Sequence, residues 1–149
     1  MGFRQDLESY YRAFNKLKKY GIGSKVVCDI GEYYADKKLG IHPPKNRSFP
    51  AIDGFDGKGN SVQIKTRHWH NREKKAPYVF RPFHSKTLRN VDYALLIILN
   101  DHFGLEEMWR VERRALRKQI KGETTSFHLT SGIKKWDGIR QIYPSNLIY

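Results

Sequence analysis

Residues 49–70, FPAIDGFDGKGNSVQIKTRHWH, decide the fold, because they combine a glycine-rich turn with alternating polar and apolar positions. Segments 51–56 and 60–67 read as short strands, with Gly57-Lys58-Gly59 between them. This spacing predicts a β-hairpin. Two acidic residues and a lysine lie close to the turn. The hairpin therefore has either an ordinary charged surface or a metal site that faces a phosphate.

The length of the turn sets which residues lie opposite each other. A three-residue loop, with Gly59 in the left-handed conformation, pairs Asp56 with Asn60. A four-residue loop would place Asp53 opposite Ile64 and send a charge to the apolar side. We prefer the shorter loop because it separates polar from apolar side chains. One face then carries Asp53, Gln63 and Lys65, and the other carries Ile52, Val62 and Ile64.

The rest of the chain predicts helices and strands around this hairpin. Apolar residues at offsets of three and four predict an amphipathic helix over residues 4–19, and a second helix runs from Ser24 to about Leu39. Residues 91–99 are almost continuously apolar, which is typical of a central strand covered on both faces. Further along, residues 107–111 predict a strand and 113–120 a short basic helix, and 127–130 and 139–143 read as short strands or packed extended chain.

This order of elements predicts a single domain over residues 1–149. Its fold class is α/β, with a small mixed β-sheet flanked by helices. Residues 68–88 show no clean period, and long irregular segments inside compact domains are usually functional or mobile.

Charge and composition restrict the function. The chain holds 28 Lys and Arg against 15 Asp and Glu, a formal net charge of +13, which favours a polyanionic partner. No apolar run is long enough to span a bilayer, and the N-terminus lacks the apolar core of a signal peptide, so we expect no membrane partner. The single cysteine, Cys28, fits a reducing cytoplasm, and we expect it to be buried in its helix.

The polar face of the hairpin can support phosphodiester hydrolysis. That reaction needs a divalent cation on oxygen ligands, an activated water and positive charge near the phosphate. Asp53 offers one hard ligand, Gln63 a neutral oxygen and the Ile64 carbonyl a further one. Lys65 can polarise the water or contact the phosphate. Glu32, on the preceding helix, is the candidate second carboxylate, although Asp29 and Asp36 share its face as they would on an ordinary surface helix.

Three pieces of this sequence resemble the PD-(D/E)XK nuclease superfamily, in the version where glutamine replaces the second acidic residue. They are Glu32 within IGEYYADKKLG, then Asp53, then VQIK at 62–65. The resemblance covers roughly residues 24–99 and implies a restriction-endonuclease-like core that cleaves nucleic acid with Mg²⁺; Ca²⁺ is expected to bind without supporting cleavage. In two departures from the pattern, Pro50 lies three positions before Asp53 and not directly ahead of it, and Gln63 is uncharged, which should either weaken metal affinity or shift more of the metal binding to Glu32.

The small size, the Q-x-K variant and the charge are similar to the intron-encoded homing endonucleases of this class. That resemblance implies a site-specific double-strand DNA endonuclease that acts as a homo-oligomer, a dimer at least and a tetramer by resemblance. Restriction and junction-resolving nucleases share the same catalytic core. A non-catalytic nucleic-acid-binding module is the alternative from another class, since it needs the charge but not the aligned Asp53, Gln63 and Lys65.

Basic and aromatic residues alternate after the hairpin. Between Gly57 and Val91 the sole acidic residue is Glu73, against nine Lys and Arg. That mix predicts phosphate contacts, although a solvated loop would look similar. The DNA contacts that we predict are Arg67, His68, Trp69, His70, Arg72, Lys74, Lys75, Arg81, Lys86, Arg113, Arg114, Lys134 and Lys135. A zinc site at His68 and His70 is disfavoured, because no further ligand has a persuasive spacing.

Overall fold

The computed structural model describes residues 2–18, 24–45, 49–68 and 78–144, and within them the α/β class is confirmed. The helices are α1 (Phe3–Lys18), α2 (Ser24–Leu39) and α3 (Arg113–Gln119). The strands are β1 (Gly54–Phe55), β2 (Ser61–His68), β3 (Tyr78–Phe80), β4 (Tyr93–Leu99), β5 (Leu105–Glu112), β6 (Phe127–Leu129) and β7 (Ile139–Tyr143). No helix in these ranges is long and apolar enough to cross a membrane.

The main sheet is small and mixed, as the sequence predicts. Its five strands lie in the order β1-β2-β4-β5-β7, with β2 and β4 parallel and the other neighbours antiparallel. Strands β3 and β6 form a separate antiparallel pair. The sequence-based reading of residues 68–88 missed β3, because three residues are too few to show a period.

Strand β4 is the centre of the molecule, and all seven of its residues are buried. Its alternate side chains enter two different cores. Leu95 and Ile97 face the core formed with α1 and α2, whereas Leu96 and Ile98 face the core formed with α3, β3 and β6. Burial on both faces explains the unbroken apolar run.

The hairpin has the predicted three-residue register. Gly54 pairs with Val62, and the Asp53 amide donates to the Val62 carbonyl over 2.8 Å, which places Asp53 opposite Gln63. Gly59 has φ +81°, the left-handed conformation that this turn requires.

Asp56 holds the turn together. Its carboxylate accepts hydrogen bonds from the Lys58 amide, from the amide and side chain of Asn60, and from the Tyr93 hydroxyl, at 2.9 to 3.0 Å. Desolvation would raise the pKa of Asp56, but these hydrogen bonds outweigh it and lower the pKa to about 2. Asp56 therefore has a structural role in the turn.

Helix α2 matches its predicted bounds, but the expected burial of Cys28 is wrong. The buried side of α2 carries Ile30, Gly31 and Ala35, and the Cys28 side chain lies off that side and is exposed. It lies one helical turn before Glu32, so the thiol and that carboxylate share one side of the helix.

Candidate metal and phosphate site

The candidate site lies just before β1 begins, where the edge of β2 has no neighbouring strand. Only two residues of β1 pair with β2, so the β2 backbone has no strand partner on this side from Gln63 onward within the described residues. The Asp53 carboxylate takes the position of the missing strand, because its Oδ2 accepts a hydrogen bond from the Ile64 amide over 2.8 Å. The N–H and C=O of a strand residue project to the same edge. The Ile64 carbonyl, a predicted ligand, therefore faces this edge too.

The backbone before Asp53 bends sharply into the site. Ala51 has φ +66°, a left-handed conformation that costs a non-glycine residue roughly 1–2 kcal/mol. This bend explains why β1 starts only at Gly54 although the sequence suggested a strand from residue 51.

Gln63 and Lys65 project from one face of β2, as predicted. They lie beside Ala94 and Leu96 of the parallel neighbour, whose side chains enter the core with α3. Gln63 is only 5% exposed, and its Oε1 accepts no hydrogen bond in the described structure. A buried polar atom without a partner costs roughly 1–3 kcal/mol. A cation on that oxygen would remove the cost.

Helix α2 supplies the second carboxylate. Glu32 lines two small cavities together with Asp53, of about 190 and 220 Å³. The smaller cavity is also lined by Pro43, Pro44 and Phe49. The larger one is also lined by Asp29 and Asp36, on the same helical face as Glu32. The sequence indicated this acidic face, and the structure turns it toward Asp53.

The charges of the site affect one another. Burial raises the pKa of Asp53, although the Ile64 amide and the Lys65 charge partly offset that rise. Burial lowers the pKa of Lys65, and Asp53 partly offsets that fall. Burial also raises the pKa of the Cys28 thiol, which Lys65 lowers and Glu32, Asp29 and Asp53 raise. The charges of Asp53, Lys65 and the acidic side of α2 therefore lie close enough to affect one another, and shifted pKa values of this kind are common at functional sites.

The donor set suits a hard cation. Within the described ranges, no cluster of three or more His, Cys, Asp or Glu side chains is arranged to hold a metal ion. The candidate oxygens are the carboxylates of Asp53 and Glu32, which line the same two cavities, together with the orphaned Gln63 Oε1 and the Ile64 carbonyl of the adjoining strand β2. All of them are oxygen ligands, which Mg²⁺ and Ca²⁺ prefer, and the unsatisfied amide oxygen is the observation that fits a bound ion best.

Segment 81–86 borders the site, and sequence reasoning did not connect it to Lys65. The Lys65 ammonium lies 5.6 Å from the centre of the Phe83 ring, and Phe83 is fully buried. Arg81 and Lys86, which flank Phe83, are exposed. No periodic signal in the sequence predicts this contact, because it depends on how the chain returns from β2 to β4.

The predicted DNA contacts fall into several groups. Arg67, Arg81, Lys86 and Lys135 have exposed side chains. Trp69, His70, Arg72, Lys74 and Lys75 lie outside the described residues.

The assignment of His68 as a DNA contact is wrong. Its side chain is 8% exposed, and its ring stacks on Phe103 with 4.3 Å between the ring centres. The Phe14 ring also lies against it, in the core under α1. His68 lies on the same face of β2 as Val62 and Ile64, which is the face that α1 and α2 cover, so it cannot reach a duplex.

Three other predicted contacts are engaged within the protein. Arg113 donates to the Val91 carbonyl and to Asp92. The other two are Arg114, which pairs with Asp137 at 3.0 Å, and Lys134, which lies 4.8 Å from the Trp109 ring centre. These interactions link α3 and the C-terminal segments to neighbouring elements, while the Arg114 side chain stays largely exposed, and DNA contact by the three residues stays a prediction.

No protein-family model matches the chain, and no curated protein matches it either. The geometry of the site and the charge of the chain are therefore the features that indicate a function.

Replacing Asp53 by Asn should stabilise the protein at neutral pH. The pKa of Asp53 in the folded protein lies above its ordinary value of 3.8, because burial disfavours the ionised form. The protonated carboxyl therefore contributes fully to the free energy of unfolding below pH 3.8, and this contribution is lost as the pH rises through the folded pKa. The asparagine side chain cannot ionise and does not incur this loss, while its oxygen can still accept from the Ile64 amide. Urea unfolding from pH 3 to 8 should show a gain for Asp53→Asn that grows with pH.

The matched control is Asp137→Asn, at a carboxylate that is 83% exposed, for which no comparable gain is expected. An Asp53→Asn variant less stable than the wild type at pH 7 would contradict the burial of this charge.

Proposed function

We propose that this protein is a Mg²⁺-dependent endonuclease that hydrolyses double-stranded DNA. The observation that carries the proposal is the half-buried Asp53–Lys65 pair beside the buried, unpartnered Gln63 Oε1, at an open strand edge. In a purely structural ion pair, a buried amide oxygen without a hydrogen bond has no function. In a metal-dependent phosphodiesterase, that oxygen can act as a ligand of the cation, which binds oxygen atoms.

Each residue has a role in this proposal. Asp53 and Glu32 are the charged ligands, and Gln63 and the Ile64 carbonyl complete the oxygen set. A bound Mg²⁺ would supply Lewis-acid activation of the phosphate and a water of lowered pKa. Lys65 holds positive charge beside the scissile phosphate and orients the attacking water. Its lowered pKa makes proton exchange with that water easier than for an exposed lysine.

The net charge of +13 supports a nucleic acid as the substrate. Exposed Arg81 and Lys86 lie on either side of the residue that contacts Lys65, so a phosphate backbone that reaches the site also meets these cations. Arg67 is exposed on β2, two residues beyond Lys65, and extends the same basic surface.

The finer parts of the proposal concern assembly and biological role. One chain holds one such site, and cutting both strands needs two, so the active form is at least a symmetric homodimer. The resemblance to intron-encoded homing endonucleases supports a tetramer that reads a long target. Restriction and junction resolution are the alternatives within the same chemistry.

A non-catalytic nucleic-acid-binding module is the competing function. The same basic surface favours it, because electrostatic attraction to phosphates needs no catalytic group. A non-catalytic binding function does not explain the unpartnered Gln63 oxygen or the half-buried Asp53–Lys65 pair. Cleavage therefore separates the two functions.

Asp53→Asn and Lys65→Ala should each abolish DNA cleavage, with a loss of roughly a thousandfold or more, because each removes charge from the transition state. Gln63→Leu should also lose cleavage, whereas Gln63→Glu should keep it, since glutamate retains a ligand oxygen. The assay uses excess enzyme on a library of plasmids with diverse inserts, with Mg²⁺ or with Ca²⁺, and sequences the ends produced.

Lys58→Ala is the matched control, since Lys58 is an exposed lysine in the hairpin turn, outside the cleft. It should cut like the wild type. Wild-type turnover by Asp53→Asn or Lys65→Ala would contradict the site assignment, and DNA binding without cleavage across the whole library would favour the binding module.

Removing one positive charge beside the site should weaken DNA binding and reduce its salt dependence. Each lost phosphate contact should lower the slope of log K against log [salt] by about 0.9. Arg81→Gln and Lys86→Gln are the test variants, measured by fluorescence anisotropy of a labelled duplex in Ca²⁺ over a KCl series.

Arg12→Gln, on the exposed face of α1, removes the same charge from a residue outside the candidate site and is the control. If it changes the slope as much as Arg81→Gln does, binding follows net charge and not this surface.

A further inference from the structure

Helix α2 packs directly against strand β2 at one glycine. A Cβ atom placed on Gly31 would lie 1.8 Å from Oγ1 of Thr66, 2.8 Å from its Cβ and 2.9 Å from its Cγ2. All three distances are far below ordinary contact, and all three involve the same residue. Gly31 therefore lets the helix lie directly on the Thr66 side chain.

The contact is one of shape and not of hydrogen bonding. The Thr66 hydroxyl is buried, and its oxygen has no hydrogen-bond partner in the described structure. Gly31 lies in the middle of a 16-residue helix, where glycine is the least favoured residue apart from proline. Its backbone does not have a positive φ, so the missing side chain is its only structural advantage.

This contact is directly beside two residues of the site. Gly31 precedes Glu32 on the helix, and Thr66 follows Lys65 on the strand. The distance between the two backbones at this point therefore determines how far the Glu32 carboxylate lies from Asp53. An increase of about 1 Å in that distance would separate ligands that must bind one ion together.

We propose that Gly31 is a positioning residue, whose missing side chain lets α2 lie directly on Thr66 of β2 and so brings Glu32 close to Asp53. The part of this inference that concerns metal rests on the proposed function. The part that concerns spacing rests on the packing alone.

Gly31→Ala should lower the affinity for Ca²⁺ by roughly tenfold or more, as is typical when groups that orient metal ligands are changed. The protein should stay folded, because alanine is a better helix former than glycine and the helix can shift outward. Calorimetric titration with CaCl₂ measures the affinity, and thermal unfolding by circular dichroism checks the fold.

Removing the opposing side chain should reverse the effect in steps. Thr66→Ala in the Gly31→Ala background leaves the two Cβ atoms 2.8 Å apart in the unshifted structure and should restore the affinity only partly. Thr66→Gly in that background removes the remaining clash and should restore it fully. Thr66→Gly alone should lower the melting temperature but keep the wild-type Ca²⁺ affinity. Lys25→Ala, at an exposed position of α2, should change neither the melting temperature nor the Ca²⁺ affinity.

Wild-type Ca²⁺ affinity in Gly31→Ala, or no recovery in the double variants, would overturn the inference. If the wild type itself binds neither Ca²⁺ nor Mg²⁺, the proposed function fails, and crystal structures of the same variants still decide the spacing. Gly31→Ala should then show α2 displaced from β2, and Gly31→Ala/Thr66→Gly should show it returned; an undisplaced helix would refute the positioning role.

Discussion

The attraction between Asp53 and Lys65 at the open edge of β2 is the interaction on which the rest of the site depends. Burial shifts the pKa of each group toward its neutral form, and the partner's charge opposes that shift. Such a pair is weak evidence for stability, because desolvation can cost more than the attraction returns. A bound cation would neutralise the Asp53 carboxylate, and a bound phosphate would neutralise the Lys65 ammonium. Binding of both ligands would therefore explain why two partly desolvated charges are kept side by side.

The fold holds this pair on a rigid base and leaves one side open. Strand β4 is buried along its whole length and fixes β2, which carries Gln63 and Lys65. Strand β1 begins only at Gly54, so the Asp53 carboxylate replaces a strand at the β2 edge. Helix α2 closes the other side at the distance that Gly31 allows. Rigid elements therefore supply the groups that require accurate placement, and short irregular segments surround them.

The sequence predicts the features that depend on local rules. The hairpin register follows from the Gly57-Lys58-Gly59 turn and from the separation of polar and apolar faces, and α2 follows from its apolar period and its terminal signals. The sequence predicted Glu32 on α2 as the second carboxylate beside Asp53, and the structure places both in the same cavities. Their chemical roles stay predictions.

Features that depend on distant packing were not predictable. His68 continues a basic run in sequence, yet the strand alternation and the ring of Phe103 take it into the core. Cys28 has a residue type that is usually buried, but it lies off the packed side of its helix. The pairing of β3 with β6 joins residues far apart along the chain, and no local pattern in either segment specifies the partner.

The central claim, that Asp53, Lys65 and the acidic side of α2 share one cleft, can be measured through Cys28, the only cysteine in the chain. The rate of its alkylation against pH gives the pKa of its thiol. The account predicts that Lys65→Met raises this pKa, that Asp53→Asn lowers it, and that Lys58→Met, in the hairpin turn, leaves it unchanged. If the Lys65 and Asp53 variants behave like the Lys58 control, the three groups do not share a cleft and the account is wrong.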